Sequence, residues 1–247
     1  MVKKFILSAF LILALSCCAF PGKSYSQIDS LAVAILDSMS NNIGELETCS
    51  FRFALDYDIF SENYGMITHS DAGTIFLKGP DKILLERQGD KGHKKFFYNG
   101  KTCSLYSFDR NSYATIPAPP TIIETIDSIS NAYGVEFPAA DVFYPDFVDD
   151  LLDVSNRMIY LGLTMTGIKE CYHVAGVTDD FTYQLWIMTE KDNYTPMKLS
   201  IVYDKKPGKP RYSALYYDWK LNPELDDAMF EFSPPAGSVE ITILKKN

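Results

Sequence analysis

The sequence predicts a mainly β (α+β) protein, a curved antiparallel sheet or half-open barrel of about 10–11 strands with an N-terminal helix and a helical lid insertion. Three observations carry this. Strand patterns run through most of the chain, with apolar residues at period two most cleanly over Phe51 to Ile59. The segments between them are short and rich in Gly, Asp, Asn, Lys and Pro, as hairpin connectors are. Helical periodicity is confined to three stretches, too few residues to cover both faces of a large sheet.

The first element is not part of the fold. Lys3 and Lys4 precede an apolar run from Phe5 to Phe20, and Ser24-Tyr25-Ser26 places small residues before Gln27. This is the pattern of a secretory signal peptide over residues 1–26, and the apolar run falls short of a spanning helix. Leu15-Ser16-Cys17-Cys18 offers a second processing site, a lipobox with Cys18 as the lipidated residue. The small-residue rule favours cleavage after Ser26 and a free periplasmic protein, with a lipid anchor at Cys18 as the alternative. Residues 27–247, about 220 residues, then form a single domain.

Ile28, Leu31, Ala32, Ile35, Leu36, Met39 and Ile43 recur at helical steps, and Gly44 ends the helix. Phe51, Phe53, Leu55, Tyr57 and Ile59 then alternate with Arg52, Ala54, Asp56 and Asp58, so one face of this strand is aromatic and Arg52 points away from it. Strands follow at Ile67 to Leu77, from Ile83, and up to Tyr98. Asn99-Gly100 predicts a type I′ hairpin, and Lys101 to Ser107 returns.

Pro117-Ala118-Pro119-Pro120 stops strand pairing, because proline has no N–H for a ladder. Thr121 is the expected N-cap of a helix, with Glu124 as its capping-box partner and Ile122, Ile123, Ile126 and Ile129 as its stripe. A second short helix is expected between Pro145 and Ser155, with Phe147 and Leu151 among its apolar positions. Five strands then run to Leu221.

Composition narrows the function. The chain has 23 basic and 32 acidic residues, a net charge of −9, and Lys3, Lys4 and Lys23 leave with the signal. So acidic a protein repels nucleic acid and, over most of its surface, anionic headgroups. Cys49, Cys103 and Cys171 are odd in number and widely spaced, which suits small buried residues in strands better than a disulfide framework or zinc motif.

Catalytic signatures are lacking. His69, His93 and His173 are scattered, and no HExxH, GxSxG, P-loop or GxGxxG occurs. Asp149-Asp150 and Asp179-Asp180 fit an exposed helix face and a hairpin turn better than converging acid–base pairs. Cys171 and His173 share a strand face, but two ligands do not make a metal site. No catalytic residue, cofactor or metal is therefore expected.

The positive signal is aromatic. The 16 Tyr, 16 Phe and 2 Trp fall largely at alternating strand positions. Phe51, Phe53, Leu55, Tyr57, Ile75, Leu77, Leu85, Trp186, Met188 and Trp219 are the expected lining of an apolar cavity, Trp219 sharing a face with Leu215 and Tyr217. Ile122, Ile123, Ile126, Phe147 and Leu151 would form its lid.

Several segments carry a resemblance. Phe97-Tyr98-Asn99-Gly100-Lys101, Tyr113-Ala114-Thr115-Ile116-Pro117-Ala118-Pro119, Tyr133-Gly134-Val135-Glu136-Phe137-Pro138, Gly167 to Val174 with Cys171 and His173, and the ending Leu221-Asn222-Pro223-Glu224-Leu225 with Phe230 to Gly237 resemble domain-of-unknown-function family 2092. This family of predicted periplasmic proteins is allied to the outer-membrane lipoprotein carrier and receptor (LolA/LolB-like) superfamily. The resemblance implies a half-closed antiparallel barrel, helices plugging its mouth and a cavity for lipid chains. The reading that follows is a non-enzymatic envelope protein that binds acyl chains of lipid or lipoprotein. Its alternative is an envelope sensor or interaction module that uses the same sheet to bind an envelope protein partner.

Overall fold

In the computed structural model, residues 27–135, 137, 140–189 and 193–245 are described. Residues 1–26, with the expected signal peptide and Cys18, lie outside them. Thirteen strands among these residues form one sheet, two antiparallel meanders joined edge to edge with a short parallel strand at each outer edge. The first meander comprises β2 (Thr48–Ser61), β3 (Gly65–Lys78), β4 (Lys82–Gly89), β5 (Gly92–Tyr98), β6 (Thr102–Ser107) and β7 (Ser112–Pro117). The second comprises β8 (Ser155–Thr166), β9 (Lys169–Thr178), β10 (Thr182–Met188), β11 (Pro196–Val202) and β12 (Arg211–Leu221). The last strand of the second meander returns to pair antiparallel with the first strand of the first, Tyr216 opposite Phe53.

These eleven strands are the antiparallel sheet that the period-two pattern predicts. The two further strands, β1 (Gln27–Ile28) and β13 (Val239–Glu240), are two residues each and pair parallel at the two edges. The sheet is therefore mixed and open. Two residues are too few to show a period, so sequence could not reveal them.

The helices lie on one face. α1 spans Ser30–Gly44 and buries Ala32, Ile35, Leu36, Met39 and Ile43. Its N-cap is Asp29, whose Oδ1 accepts from the Leu31 N–H at 2.9 Å and whose Oδ2 accepts from the Tyr160 N–H at 3.2 Å. These bonds hold the Asp29 carboxyl below the usual range. Ile28, expected in the helix, instead pairs with Met158 in the sheet.

α2 (Ile122–Tyr133) begins at the expected Thr121 cap. The Glu124 N–H donates to Thr121 Oγ1 at 3.3 Å, and the Thr121 hydroxyl donates to Glu124 Oε2 at 2.9 Å. It ends at Gly134 in the left-handed region. α3 spans Phe147–Val154. The two form an insertion between the meanders. Among the described residues no helix is long and apolar enough to cross a membrane.

One turn differs from expectation. Only Gly100 takes a positive φ, and Asn99 uses its side-chain oxygen to accept from the N–H groups of Lys101 and Thr102. The central pair is thus Gly100-Lys101, with glycine first as in a type II′ hairpin. The side-chain bonds of Asn99 shift the turn by one residue.

A candidate ligand groove beneath the helical insertion

Strand alternation sorts the aromatic residues onto two faces. Phe51, Phe53 and Leu55 are at most 3% exposed and face the helices. Ile75 and Leu85 from β3 and β4 are buried beside them, and Leu77 packs partly buried at the same core. Phe51 stacks on Phe143 at 5.3 Å and on Trp219 at 4.4 Å. The centre of the expected cavity is thus filled by the protein's own rings and by α1.

Trp219 reaches this face through a break in register. Pairing between β12 and β2 shifts between Tyr217 and Lys220, and Asp218 adopts a φ of 56°. Such a bulge switches the alternation. Trp219 therefore joins Tyr216 rather than Leu215 and Tyr217, with which simple alternation grouped it.

Trp186 and Met188 stand elsewhere. On β10, Tyr183, Leu185 and Ile187 are the buried set, so Trp186 and Met188 face the other way. Trp186 stacks on His173 at 4.4 Å, and Lys198 Nζ lies 4.8 Å from its ring. These two expected lining residues are thus on the outer face. Period two alone gives no sign of which set points inward when both contain large apolar residues.

Open space lies along the margin of the core, between the insertion and the sheet. One cleft of about 420 Å³ has Phe147, Leu151 and Val154 of α3 on one side and Tyr183, Leu185, Leu199 and Ile201 of β10 and β11 on the other. Ile201 is shared with a second cleft of about 420 Å³, walled also by Leu55, Tyr57, Asp71, Arg87, Tyr203 and Tyr212. Arg87 and Phe137 are shared with a third of about 260 Å³ that includes Leu85, Phe96, Leu105 and Val135. Together they trace a groove across the helix-bearing face. A further cleft of about 540 Å³ sits at other strand ends by Met188, Met197 and Trp219.

Of the expected lining, Leu55, Tyr57 and Leu85 border the groove, whereas Phe51, Phe53, Ile75 and Leu77 are packed behind it. Of the expected lid, Phe147 and Leu151 border it, Ile126 is buried, and Ile122 and Ile123 are half-buried. Close packing fixes the sheet wall. A Cβ on Gly176 would collide with the Tyr183 ring, so glycine there lets Tyr183 lie flat across β9. The Tyr183 hydroxyl shares a 2.8 Å hydrogen bond with Ser155, and burial raises its pKa.

The polar residues of the groove are ones that the pattern reading missed. Asp71 and Arg87 sit at inward positions on β3 and β4, Arg87 Nη2 lying 2.7 Å from Asp71 Oδ2. Asp71 fits because position 89 is glycine, where a Cβ would strike its carboxylate. Lys91, Lys94, Lys206 and Arg211 also line these clefts. A charged residue at an inward strand position was the available signal, since Asp71 and Arg87 keep the phase of Ile75 and Leu85.

The other polar groups singled out in the sequence are not gathered at the groove, Asp150 on the rim of the α3 cleft apart. His173 Nε2 lies 3.0 Å from Gln184 Oε1, His69 is paired with Asp90 and His93 with Glu86. Asp149, Asp150, Asp179 and Asp180 are exposed. Cys49, Cys103 and Cys171 are free and buried. Among the described residues no three His, Cys, Asp or Glu side chains gather as a metal site.

Among curated proteins, none matches the sequence significantly. An uncharacterised conserved protein from Thermus thermophilus is similar at 12% identity and a TM-score of 0.46, over 85% of this chain and 99% of that one. Lipoprotein LppX from Mycobacterium tuberculosis is similar at 12% identity and 0.45, over 80% and 98%. A LolA superfamily protein from Nitrosomonas europaea is similar at 12% identity and 0.36, over 81% and 97%. These likenesses are too distant to carry a function across. The sequence itself matches a family model over residues 32–244, and the chain belongs to that family, described as predicted periplasmic protein (DUF2092).

Proposed function

We propose that the protein binds the apolar chain of a lipid or lipoprotein in the groove beneath the helical insertion, as a carrier or holder rather than as a catalyst. The cleft between α3 and β10–β11 supports this most directly. Its walls are chiefly Phe147, Leu151, Val154, Leu185, Leu199 and Ile201, and Val154 on its rim is 50% exposed. An acyl chain laid there gains about 0.8 kcal/mol per methylene removed from water and needs no fixed polar partner. The short insertion helices form one wall and the sheet the other, so movement of α3 would admit ligand. Residues 1–26 act in this reading as a signal peptide that sends the protein to the periplasm.

The test is lipid extraction of protein purified without detergent, analysed by mass spectrometry, with titration of a fluorescent fatty acid. Stoichiometric acyl species and saturable binding are expected. A lipid-free protein that also fails to bind the fluorescent fatty acid would overturn the reading.

A further inference from the structure

The groove is basic in an acidic protein. Arg87, Lys206 and Arg211 stand on the walls of one cleft, and Arg87, Lys91 and Lys94 on the walls of the next. Two carboxylates accompany these five cations, Asp58 and Asp71. Asp71 is matched by Arg87. Asp58 accepts from the Thr68 hydroxyl at 2.6 Å and from the Arg211 backbone N–H at 2.9 Å. The chain as a whole has a net charge of −9, so a local excess of positive charge here runs against the composition.

The cations are also held where a ligand would meet them. Lys91 Nζ lies 4.8 Å from the Tyr57 ring centre and Lys206 Nζ 3.9 Å from that of Tyr203, contacts that steer both ammonium groups towards the aromatic walls. Tyr57 Oη is buried in the same cleft without a hydrogen-bond partner among the described residues. A cleft with low-dielectric walls and one sign of charge focuses its field and attracts the opposite sign.

We infer that the ligand is an anionic amphiphile: an acyl chain in the cleft under α3, with a phosphate or carboxylate head at Arg87, Lys91, Lys94, Lys206 and Arg211. This rests on the proposed lipid-binding reading and adds the head group to it. The two parts meet at Ile201, which borders both the apolar and the basic cleft.

The experiment is displacement of a bound fluorescent fatty acid by three competitors of equal chain length: palmitate, 1-palmitoyl-lysophosphatidylglycerol and neutral 1-monopalmitoylglycerol. At low salt the anionic competitors should act at concentrations at least about tenfold below the neutral one, a gap that screening closes in 1 M salt, where the Debye length is about 3 Å. The double variant Lys94→Gln/Arg211→Gln should lose most of that gap, compared as inhibition constants corrected for each protein's own affinity for the anionic probe, with the loss falling on the anionic competitors. Both side chains are exposed, so folding should survive, as circular dichroism would verify. A phosphate or a carboxylate preference identifies the source of the head, and either supports the inference. Equal competition by the neutral lipid, or a gap untouched by the double variant, overturns it and leaves acyl binding standing. Absence of any acyl binding removes both.

Discussion

Arg87 and Asp71 form an ion pair across neighbouring strands, 2.7 Å apart, with the Asp71 side chain 1% exposed. Among the described residues neither carboxylate oxygen has a well-aligned hydrogen bond, so charge rather than bond geometry holds the pair. Removing one partner strands the other. Arg87→Met should destabilise the protein by about 3 kcal/mol, the lower end for breaking a buried pair because Arg87 is itself 19% exposed. The double variant Asp71→Leu/Arg87→Met should recover most of that loss. Urea denaturation of the single and double variants measures both.

The bulge at Asp218 makes a second prediction. It turns Trp219 inward onto Phe51, and the indole N–H donates to the Pro196 carbonyl at 3.1 Å. Trp219→Ala should cost about 3 kcal/mol, the lower end for truncating a large ring because Trp219 is only partly buried. Asp218→Gly should be tolerated, since a left-handed backbone suits glycine. Thermal unfolding of the two variants should differ in opposite senses from the parent or show Asp218→Gly unchanged. A destabilised Asp218→Gly beside an unaffected Trp219→Ala would refute this account of the bulge.

How far the sequence revealed these features depends on their length. Eleven strands, three helices and the Thr121 cap each occupy enough residues for a period or a capping pair to show. The edge strands β1 and β13 do not. The face of Trp219 depended on one unpaired residue, and the face of Trp186 on which of two apolar sets the helices cover. Leu55 and Tyr57 were legible as inward because their strand alternates cleanly, whereas Leu85 stands in the apolar run Ile83-Leu84-Leu85, which shows no face by itself. Arg87 and Asp71 keep the inward phase of Leu85 and Ile75, but that signal shows only once the inward phase of each strand is known, because a charged residue otherwise reads as outward.

The cysteines are predicted to be inert. Burial pushes the Cys49 and Cys103 thiols up to about 12 and raises that of Cys171. At pH 8 the thiolate, which is the reacting form, is scarce and shielded. An aromatic disulfide reagent should label none of the three in the native protein within minutes and all three after denaturation. Rapid native labelling of Cys49 or Cys103 would show those strands to be open.

Glu86 gives a pH dependence. Burial opposes its ionisation, but His93 at 2.9 Å and Lys95 at 3.1 Å outweigh this and hold its carboxyl below the usual range. A lowered folded-state value stabilises the fold at pH above the unfolded glutamate value, near 4.3. That contribution is lost as pH falls through the lower folded value. Glu86→Gln should therefore narrow the stability difference between pH 6 and pH 3, read from urea midpoints. An unchanged difference would place the acid sensitivity elsewhere.

Val154 offers the sharpest test of the groove. It lies at the end of α3, is 50% exposed, and borders the cleft opposite β10 and β11. A larger ring at so exposed a position has room to be accommodated, so Val154→Trp should leave the melting temperature within about 2 °C, as surface changes near ±0.5 kcal/mol do. The indole would nonetheless fill space that an acyl chain needs. Each methylene displaced removes about 0.8 kcal/mol of binding, so two or three lost methylenes weaken a fluorescent fatty acid by roughly ten- to fiftyfold. Val154→Ser, which leaves the cleft open, should bind like the parent. If Val154→Trp folds normally and binds as tightly as the parent, the chain lies somewhere other than beneath α3.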